Sequence, residues 1–195
     1  MFLLCVESSH KRGMGHLFRV LNLAEALKKN HLSFLILINN HKPSIRLLEE
    51  AGHNCKVADL SDFETDWEGS IILQYNIDVW INDRLNTDLK HSYKVKNRGI
   101  PLITFDDCGT GAAIADINFA SLVFGEDEDV PGKRVLRGVQ YLILNPEIDR
   151  FKRVRSELRN LLVTMGGSDT YGVTIKVVEF LQTQTYEKKD HKNNI

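Results

Sequence analysis

The sequence predicts an α/β protein, a Rossmann-like parallel sheet with helices on both faces. Short runs of residues that are apolar throughout recur along residues 2–120, as is typical of parallel strands that are buried on both sides. Between these runs lie segments whose apolar residues recur at the spacing of one helix face. Strands that alternate with helices in this way form doubly wound parallel sheets.

The ends of the predicted helices are marked by residue types that commonly begin or end helices. Pro43 lies in a first turn, where its missing N–H would be unpaired in any residue. Lys28 and Lys29 close the first helix, and Gly52 stops the second. The predicted strands are residues 2–7, 34–38, 55–58, 77–82, 101–105, 117–120 and 122–124, and the predicted helices between them are residues 15–29, 43–51, 66–75 and 87–98.

Beyond residue 125 the alternation is less regular. Residues 126–133 are polar and turn-rich, which predicts a solvated loop. The pattern then predicts a helix over 146–159, a strand over 161–165 and a helix over 172–181. One strand–helix unit is too small to bury a core of its own. We therefore expect a first domain over 1–145, a linker helix and the first βα unit of an incomplete second domain over 146–182, and a disordered polar tail over 183–195.

Composition excludes several classes of partner. The chain has 25 basic and 26 acidic side chains and a formal net charge of −1, so its bulk charge attracts neither nucleic acid nor a membrane surface. No apolar run reaches the ~20 residues that span a bilayer. Three scattered cysteines fit a reducing compartment, and the histidines lack a shared ligand spacing. We expect a cytoplasmic protein without membrane insertion or metal, of open oligomeric state.

The loop that joins the first strand to the first helix contains Gly13, Gly15 and His16. Backbone amides at the start of a helix favour an anionic or oxygen-rich ligand. The loop does not fit a dinucleotide fingerprint, because Phe18 stands where the third glycine belongs and Asn39 follows the second strand in place of an acidic residue. Binding of NAD or FAD is therefore not expected.

His16 is the first candidate for chemistry. The start of a helix disfavours a protonated imidazole, so the neutral form that can act as a base should dominate. Asp83 and the pair Asp106-Asp107 follow later strands, and the carboxyl ends of parallel strands are where such sheets bind ligands. Each residue also has a purely structural interpretation, as a helix cap or a solvated charge.

A second glycine turn follows the predicted strand at 161–165. Gly166, Gly167 and Ser168 stand there, just before a predicted helix. Their amides and hydroxyl could hold a diphosphate, although a structural turn is the ordinary interpretation of such a sequence.

Taken together, these segments resemble the UDP-2,4-diacetamido-2,4,6-trideoxy-β-L-altropyranose hydrolases of pseudaminic acid biosynthesis (the PseG family). That family is related to MurG-like glycosyltransferases and shares their GT-B architecture of two Rossmann-like domains. The resemblance covers residues 1–181 and lies in motifs that occur in the same order: Ser9, Gly13-Met14-Gly15-His16, Arg19, Asp83, Phe105-Asp106-Asp107, Asp116-Ile117-Asn118, Tyr141-Leu142-Ile143-Leu144 and residues 163–169.

The resemblance implies a hydrolase that removes UDP from a UDP-linked diacetamido-trideoxy sugar, with water attacking the anomeric carbon. It implies catalytic roles for His16, as general base, and for Asp83, and no cofactor. The implied substrate-binding residues are Gly13, Gly15, Arg19, Asp107, Gly166, Gly167 and Ser168.

The sequence departs from the family pattern at several positions. Val6 and Glu7 stand where the family has Arg and Asp, and Asn145 and Ile148 stand where it has an arginine and an aromatic residue. Two alternatives therefore stay open beside the hydrolase. One is a UDP-sugar glycosyltransferase of the GT-B class, and the other is an inactive relative that binds a sugar nucleotide.

Overall fold

The computed structural model describes residues 1–9, 13–121, 129–154, 156–157, 160–165, 169 and 171–183. The chain forms two compact units, Met1–Lys152 and Arg153–Ile195. None of the helices in this described part is long and apolar enough to cross a membrane.

The described residues of the first unit form seven strands and four α-helices. Short 3-10 helices lie at Thr110–Ile114, Val139–Tyr141 and Pro146–Phe151. The main elements are β1 (Phe2–Val6), α1 (Gly15–Lys29), β2 (Phe34–Ile38), α2 (Lys42–Glu50), β3 (Cys55–Val57), α3 (Trp67–Tyr75), β4 (Val79–Asp83), α4 (Leu89–Lys96), β5 (Leu102–Phe105), β6 (Ile117–Ala120) and β7 (Val135–Arg137).

The strands form one parallel sheet in the order β3-β2-β1-β4-β5-β6-β7. The predicted Rossmann-like fold is therefore confirmed. The order of the strands reverses between β1 and β4, and the loops that follow these two strands leave the sheet in opposite directions. A reversal of this kind opens a crevice at the carboxyl edge of the sheet. In β1 and β4, Val6 pairs with Asp83, so the last residues of both strands meet at this edge.

Each face of the sheet carries its own hydrophobic core. Alternate residues of β1 point to opposite faces, so Leu4 and Val6 enter one core while Leu3 and Cys5 enter the other. The first core is closed by α1, whose buried residues recur at helical spacing. These residues are Leu17, Val20, Ala24 and Leu27. Burial on both sides explains why the strands are apolar throughout.

Two segments differ from the sequence prediction, and the strand β7 was not predicted. In the described part of the helix predicted over 146–159, the structure forms a short 3-10 helix, Pro146–Phe151. Its apolar side chains Ile148 and Phe151 are exposed, and a helix without a buried stripe lacks the packing that stabilises it. Residues 161–165 are irregular where a strand was predicted, because a strand needs a partner for its backbone groups.

The second unit contains α5 (Val173–Thr183), which confirms the helix predicted over 172–181. Asp169 precedes this helix, and its carboxylate accepts hydrogen bonds from the amides of Val173 and Thr174, both at 2.8 Å. A hydrogen bond from the Thr174 side chain, and after it these amide bonds, hold the pKa of the Asp169 carboxyl below its usual range. The strand predicted at 122–124, the turn at 166–168 and the tail beyond 183 lie outside the described residues.

Candidate functional site

His16 and Asp83 form a hydrogen-bonded pair at the carboxyl edge of the sheet. His16 lies in the first turn of α1, and Asp83 is the last residue of β4. The distance from His16 Nδ1 to Asp83 Oδ1 is 2.5 Å. The His16 ring therefore contacts a carboxylate, and α1 has no side-chain cap. Asp83 does not cap α4, because the side chain of Asp88 does so.

Arg19 lies one turn further along α1 and binds the same carboxylate. Its Nε donates to Asp83 Oδ2 and its Nη2 donates to Oδ1, both at 2.7 Å. Nη1 donates to Asp106, and the guanidinium lies 5.0 Å from the centre of the Phe105 ring. Burial alone would lower the pKa of Arg19, but hydrogen bonds and charge from Asp83 and then Asp106 raise it above its ordinary value.

Asp106 follows β5 in a left-handed backbone conformation, with φ of 47°. Aspartate tolerates this region better than most residues do. The amide of Asp106 donates to the carbonyl oxygen of Phe119 at 2.7 Å, and the hydroxyl of Ser121 lies 3.2 Å from both oxygens of its carboxylate. Asp106 is thus fixed from two sides while it binds Arg19. We call His16, Arg19, Asp83 and Asp106 the charge cluster.

The proton of a neutral His16 can be located from these contacts. Asp83 is only 1% exposed and accepts two bonds from the positively charged Arg19, so it is ionised and cannot donate a proton. The hydrogen bond between His16 and Asp83 therefore requires the proton on Nδ1 of His16. The Nε2 atom then carries a lone pair and, within the described residues, has no hydrogen-bond partner.

A cleft of about 450 Å³ opens beside the charge cluster. On one side it is lined by α1, including Gly15, His16 and Arg19. The opposite side is formed by the segment 142–148 and is mostly apolar. We call this side the apolar wall; its residues are Leu142, Ile143, Leu144, Asn145 and Ile148. The cleft therefore combines a histidine base with a surface suited to apolar groups.

The loop between β1 and α1 is tied to β2 and α2. The amide group of Asn39 brackets Ser8, accepting from its N–H at 2.8 Å and donating to its carbonyl oxygen at 2.9 Å. The hydroxyls of Ser8 and Ser44 are buried 2.6 Å apart, and Ser44 also contacts His41 at 2.7 Å. Gly13 has φ of 73°, a conformation that favours glycine. Asn39 stands where dinucleotide-binding enzymes carry an acidic residue, and here it holds the loop between β1 and α1 in place.

Asp107 lies apart from the charge cluster. It is fully buried, and its carboxylate accepts from the amide of Thr87 at 3.0 Å and from the amide of Gly109 at 2.8 Å. The hydroxyl of Thr87 also donates to it. These contacts join the loops that follow β4 and β5. A role of Asp107 in substrate binding stays a prediction.

The structure brings together some of the residues that the sequence singled out. Gly15, His16 and Arg19 line one cleft, and Asp83 contacts two of them. Gly166, Gly167 and Ser168 lie outside the described residues. Among the residues that are described, no group of three or more potential metal ligands occurs.

Sequence reasoning missed three features of the site. It named Asp106 only as one of an adjacent pair of carboxylates and did not predict its contact with Arg19. It also gave no role to the apolar wall or to Ser121. Successive side chains of a strand point to opposite faces of the sheet, so Asp106 and Asp107 are expected on different faces. The sequence does not show which of the two faces α1.

The sequence is similar to an archaeal and a bacterial protein. It is 29% identical over 190 residues to an uncharacterised protein of Methanocaldococcus jannaschii, and the aligned region covers 90% of this chain and 38% of that protein. It is 26% identical over 183 residues to the spore coat polysaccharide biosynthesis protein SpsG of Bacillus subtilis, and the aligned region covers 88% of this chain and 52% of that protein. The chain thus spans about half the length of these relatives or less. No protein-family profile matches it.

Among solved structures, MurG of Acinetobacter baumannii superposes with a TM-score of 0.50. The identity is 13%, and the match covers 67% of this chain and 44% of MurG. The sheet has the fold of a Rossmann-like domain of the kind from which GT-B proteins are built. At this identity the likeness concerns the architecture of the chain, a Rossmann-like parallel sheet with a helix that starts at the carboxyl end of its first strand.

Proposed function

We propose that the protein acts on a UDP-linked sugar as a hydrolase that releases UDP, with His16 as the general base. The observation that carries this proposal is the His16–Asp83 pair, whose unbonded Nε2 belongs to a residue that lines a cleft. A base for water must offer a lone pair within reach of the substrate and must hold the proton that it receives. His16 meets both requirements.

The proposed reaction is a displacement at the anomeric carbon. Water loses a proton to Nε2 of His16 as its oxygen forms a bond to that carbon, and the bond between the carbon and the UDP oxygen breaks. UDP leaves with the electron pair of that bond. The resulting imidazolium is stabilised by Asp83, which stays ionised and accepts a hydrogen bond from the Nδ1–H group. The proton is then released to solvent.

The cleft supports a sugar with apolar substituents. Its apolar wall can pack against methyl and acetamido groups, while His16 lies across from it. The relative named for spore coat polysaccharide biosynthesis and the GT-B fold both favour sugar chemistry. A UDP-linked diacetamido-trideoxy sugar, the substrate of the PseG family, fits these features.

The remaining predicted residues take supporting roles in this proposal. Gly13 and Gly15 allow a bulky substrate to approach the start of α1, since an added Cβ on Gly15 would meet no atom within 4 Å. Gly166, Gly167 and Ser168 would bind the diphosphate. Asp107 would act on the substrate through the loops that it joins.

Release of UDP from a UDP-linked diacetamido-trideoxy sugar tests the proposal in the 195-residue chain. His16→Asn should lower the rate by about 10²–10⁴, the usual contribution of a general base. His31→Asn is the matched control, because His31 is exposed beyond the far end of α1 and asparagine tolerates its left-handed conformation. This control should keep the wild-type rate.

Three results would count against this proposal. Equal rates in His16→Asn and wild type would remove His16 from the reaction. Release of UDP only when a second sugar is added would indicate a glycosyltransferase. Binding of the UDP-sugar without release in wild type would indicate an inactive binding protein.

A further inference from the structure

Every nitrogen of the Arg19 guanidinium already donates a hydrogen bond to a carboxylate of the protein. Its Nε and Nη2 are bound to Asp83, and its Nη1 is bound to Asp106. The side chain is only 12% exposed although it lines the cleft. An arginine that binds a diphosphate presents its planar fork to the phosphate oxygens, whereas this fork is already filled by a carboxylate of the protein.

We infer that Arg19 is a positioning residue, anchored by Asp106, that fixes Asp83 beneath His16 and offsets the negative charge of the two carboxylates beside the His16 ring. This inference rests on the proposed function for its kinetic consequences only. It replaces the substrate-binding role that resemblance to the PseG family implies for Arg19, and it assigns a role to Asp106.

The count of charges in the cluster supports the inference. Asp83 and Asp106 are 1% and 7% exposed, so neither is well screened by water. With Arg19 present and His16 neutral, the cluster carries a net charge of −1. Without Arg19 the same cluster would carry −2, and a proton on His16 would become more favourable. Arg19 also lies close to the ring, with Nη2 3.3 Å from Nδ1, and repels an imidazolium directly.

No other described group facing His16 offsets this charge. Asp83 approaches the ring from β4 and Arg19 from α1, with Asp106 behind Arg19 at the end of β5. The other residues that line the cleft, among them the apolar wall, are uncharged. Among the described residues, Arg19 is therefore the cation that contacts the ring.

Asp106 completes the arrangement by fixing the far side of the guanidinium. Its left-handed backbone and its contact with Ser121 hold the carboxylate in place. Because Arg19 reaches both carboxylates with different nitrogens, a lysine could not replace it: an ammonium group is a single point of charge and lacks the fork.

The test compares Arg19→Met, Arg19→Lys and Asp106→Asn in the full chain, with Arg46→Met as the matched control. Arg46 is an exposed arginine on α2, in an ion pair with Glu50. The first measurement is the NMR titration of the His16 ring, which needs no substrate. The second is the pH profile of UDP release, with kcat and KM determined separately.

We expect the pH at which the His16 ring takes up its proton to rise by about 1–3 units in Arg19→Met, the effect of one nearby charge. The acid limb of the kcat/KM profile should move in the same direction. At pH 7 kcat should fall, while KM for the UDP-sugar changes little. Arg19→Lys should lie between this variant and wild type, because it restores the charge without the fork. Asp106→Asn should lower kcat by loosening Arg19, and Arg46→Met should match wild type.

A diphosphate ligand would behave differently. In that case Arg19→Met would raise KM and leave the His16 titration where it is in wild type, and this result would overturn the inference. If Arg19→Met does not fold, an unmoved titration and unchanged kcat in both Arg19→Lys and Asp106→Asn would overturn it equally. If wild type releases no UDP, the proposed function fails, whereas the NMR titration still decides the role of Arg19.

Discussion

Replacement of Asp107 by alanine separates a structural role from a role in substrate binding. The carboxylate is fully buried and accepts from the amides of Thr87 and Gly109 and from the Thr87 hydroxyl. Alanine removes every one of these acceptors. A buried donor that is left unpaired costs about 1–3 kcal/mol. The two amides therefore set the expected loss of unfolding free energy at about 2–6 kcal/mol.

Urea unfolding followed by tryptophan fluorescence measures this loss. The rings of Trp67 and Trp80 lie 5.9 Å apart between α3 and β4 and report on the same part of the sheet. Asp88→Ala is the matched control, because it removes another aspartate from the adjoining loop but only one cap hydrogen bond. The control should lose about 1 kcal/mol.

The isosteric Asp107→Asn variant refines the result. It keeps one acceptor oxygen and loses the charge, so we expect a loss of about 1–3 kcal/mol. Wild-type stability in Asp107→Ala together with a large rise in KM for the UDP-sugar would refute our reasoning. That outcome would indicate a direct contact between Asp107 and the substrate.

Three further predictions concern stability, space and reactivity. Burial lowers the pKa of His91 below its ordinary value of 6.5, so the unfolded chain binds a proton that the folded chain does not. Stability should therefore fall as the pH drops below about 6.5, until it reaches the folded-state pKa, and urea midpoints of wild type and His91→Gln at several pH values check this. Gly111→Ala would place a Cβ 2.4 Å from a backbone carbonyl oxygen and should lower stability by about 1–3 kcal/mol; Gly15→Ala, with open space around its Cβ, should stay stable but slow UDP release. Burial raises the pKa of the Cys5 thiol to about 12, so iodoacetamide at about pH 8 should label the exposed Cys108 and leave Cys5 unmodified in the folded protein, as mass spectrometry would show.

The sheet could be predicted because its strands carry a signal that depends on the chain alone. Residues of β1 such as Leu3 and Leu4 are apolar on both faces, and the helices between strands repeat at their own spacing. The segment at 161–165 carries the same apolar signal without forming a strand. Apolar character indicates that a segment needs burial, whereas a strand also needs a neighbour with free backbone groups.

The site was less accessible to sequence reasoning than the fold. The approach of His16 to Asp83 follows from a general rule about strand ends. Asp83 was singled out for that reason, and His16 for its place at the start of a helix. The choice between Asp106 and Asp107 depends on a left-handed backbone at Asp106 and on contacts from Ser121 and Thr87. These contacts join residues that are far apart in the chain, and no local pattern records them.

Because Val6 pairs with Asp83 across β1 and β4, the activity proposed for this site depends on the register of these two strands. A slip of one residue in β4 would turn Asp83 to the other face of the sheet and present Asn82 to α1, which cannot replace the charge that Arg19 binds. A molecule with β4 out of register could remain compact and still be inactive. Turnover per molecule would then report the fraction of a preparation whose central strands are in register, a quantity that far-ultraviolet circular dichroism does not distinguish.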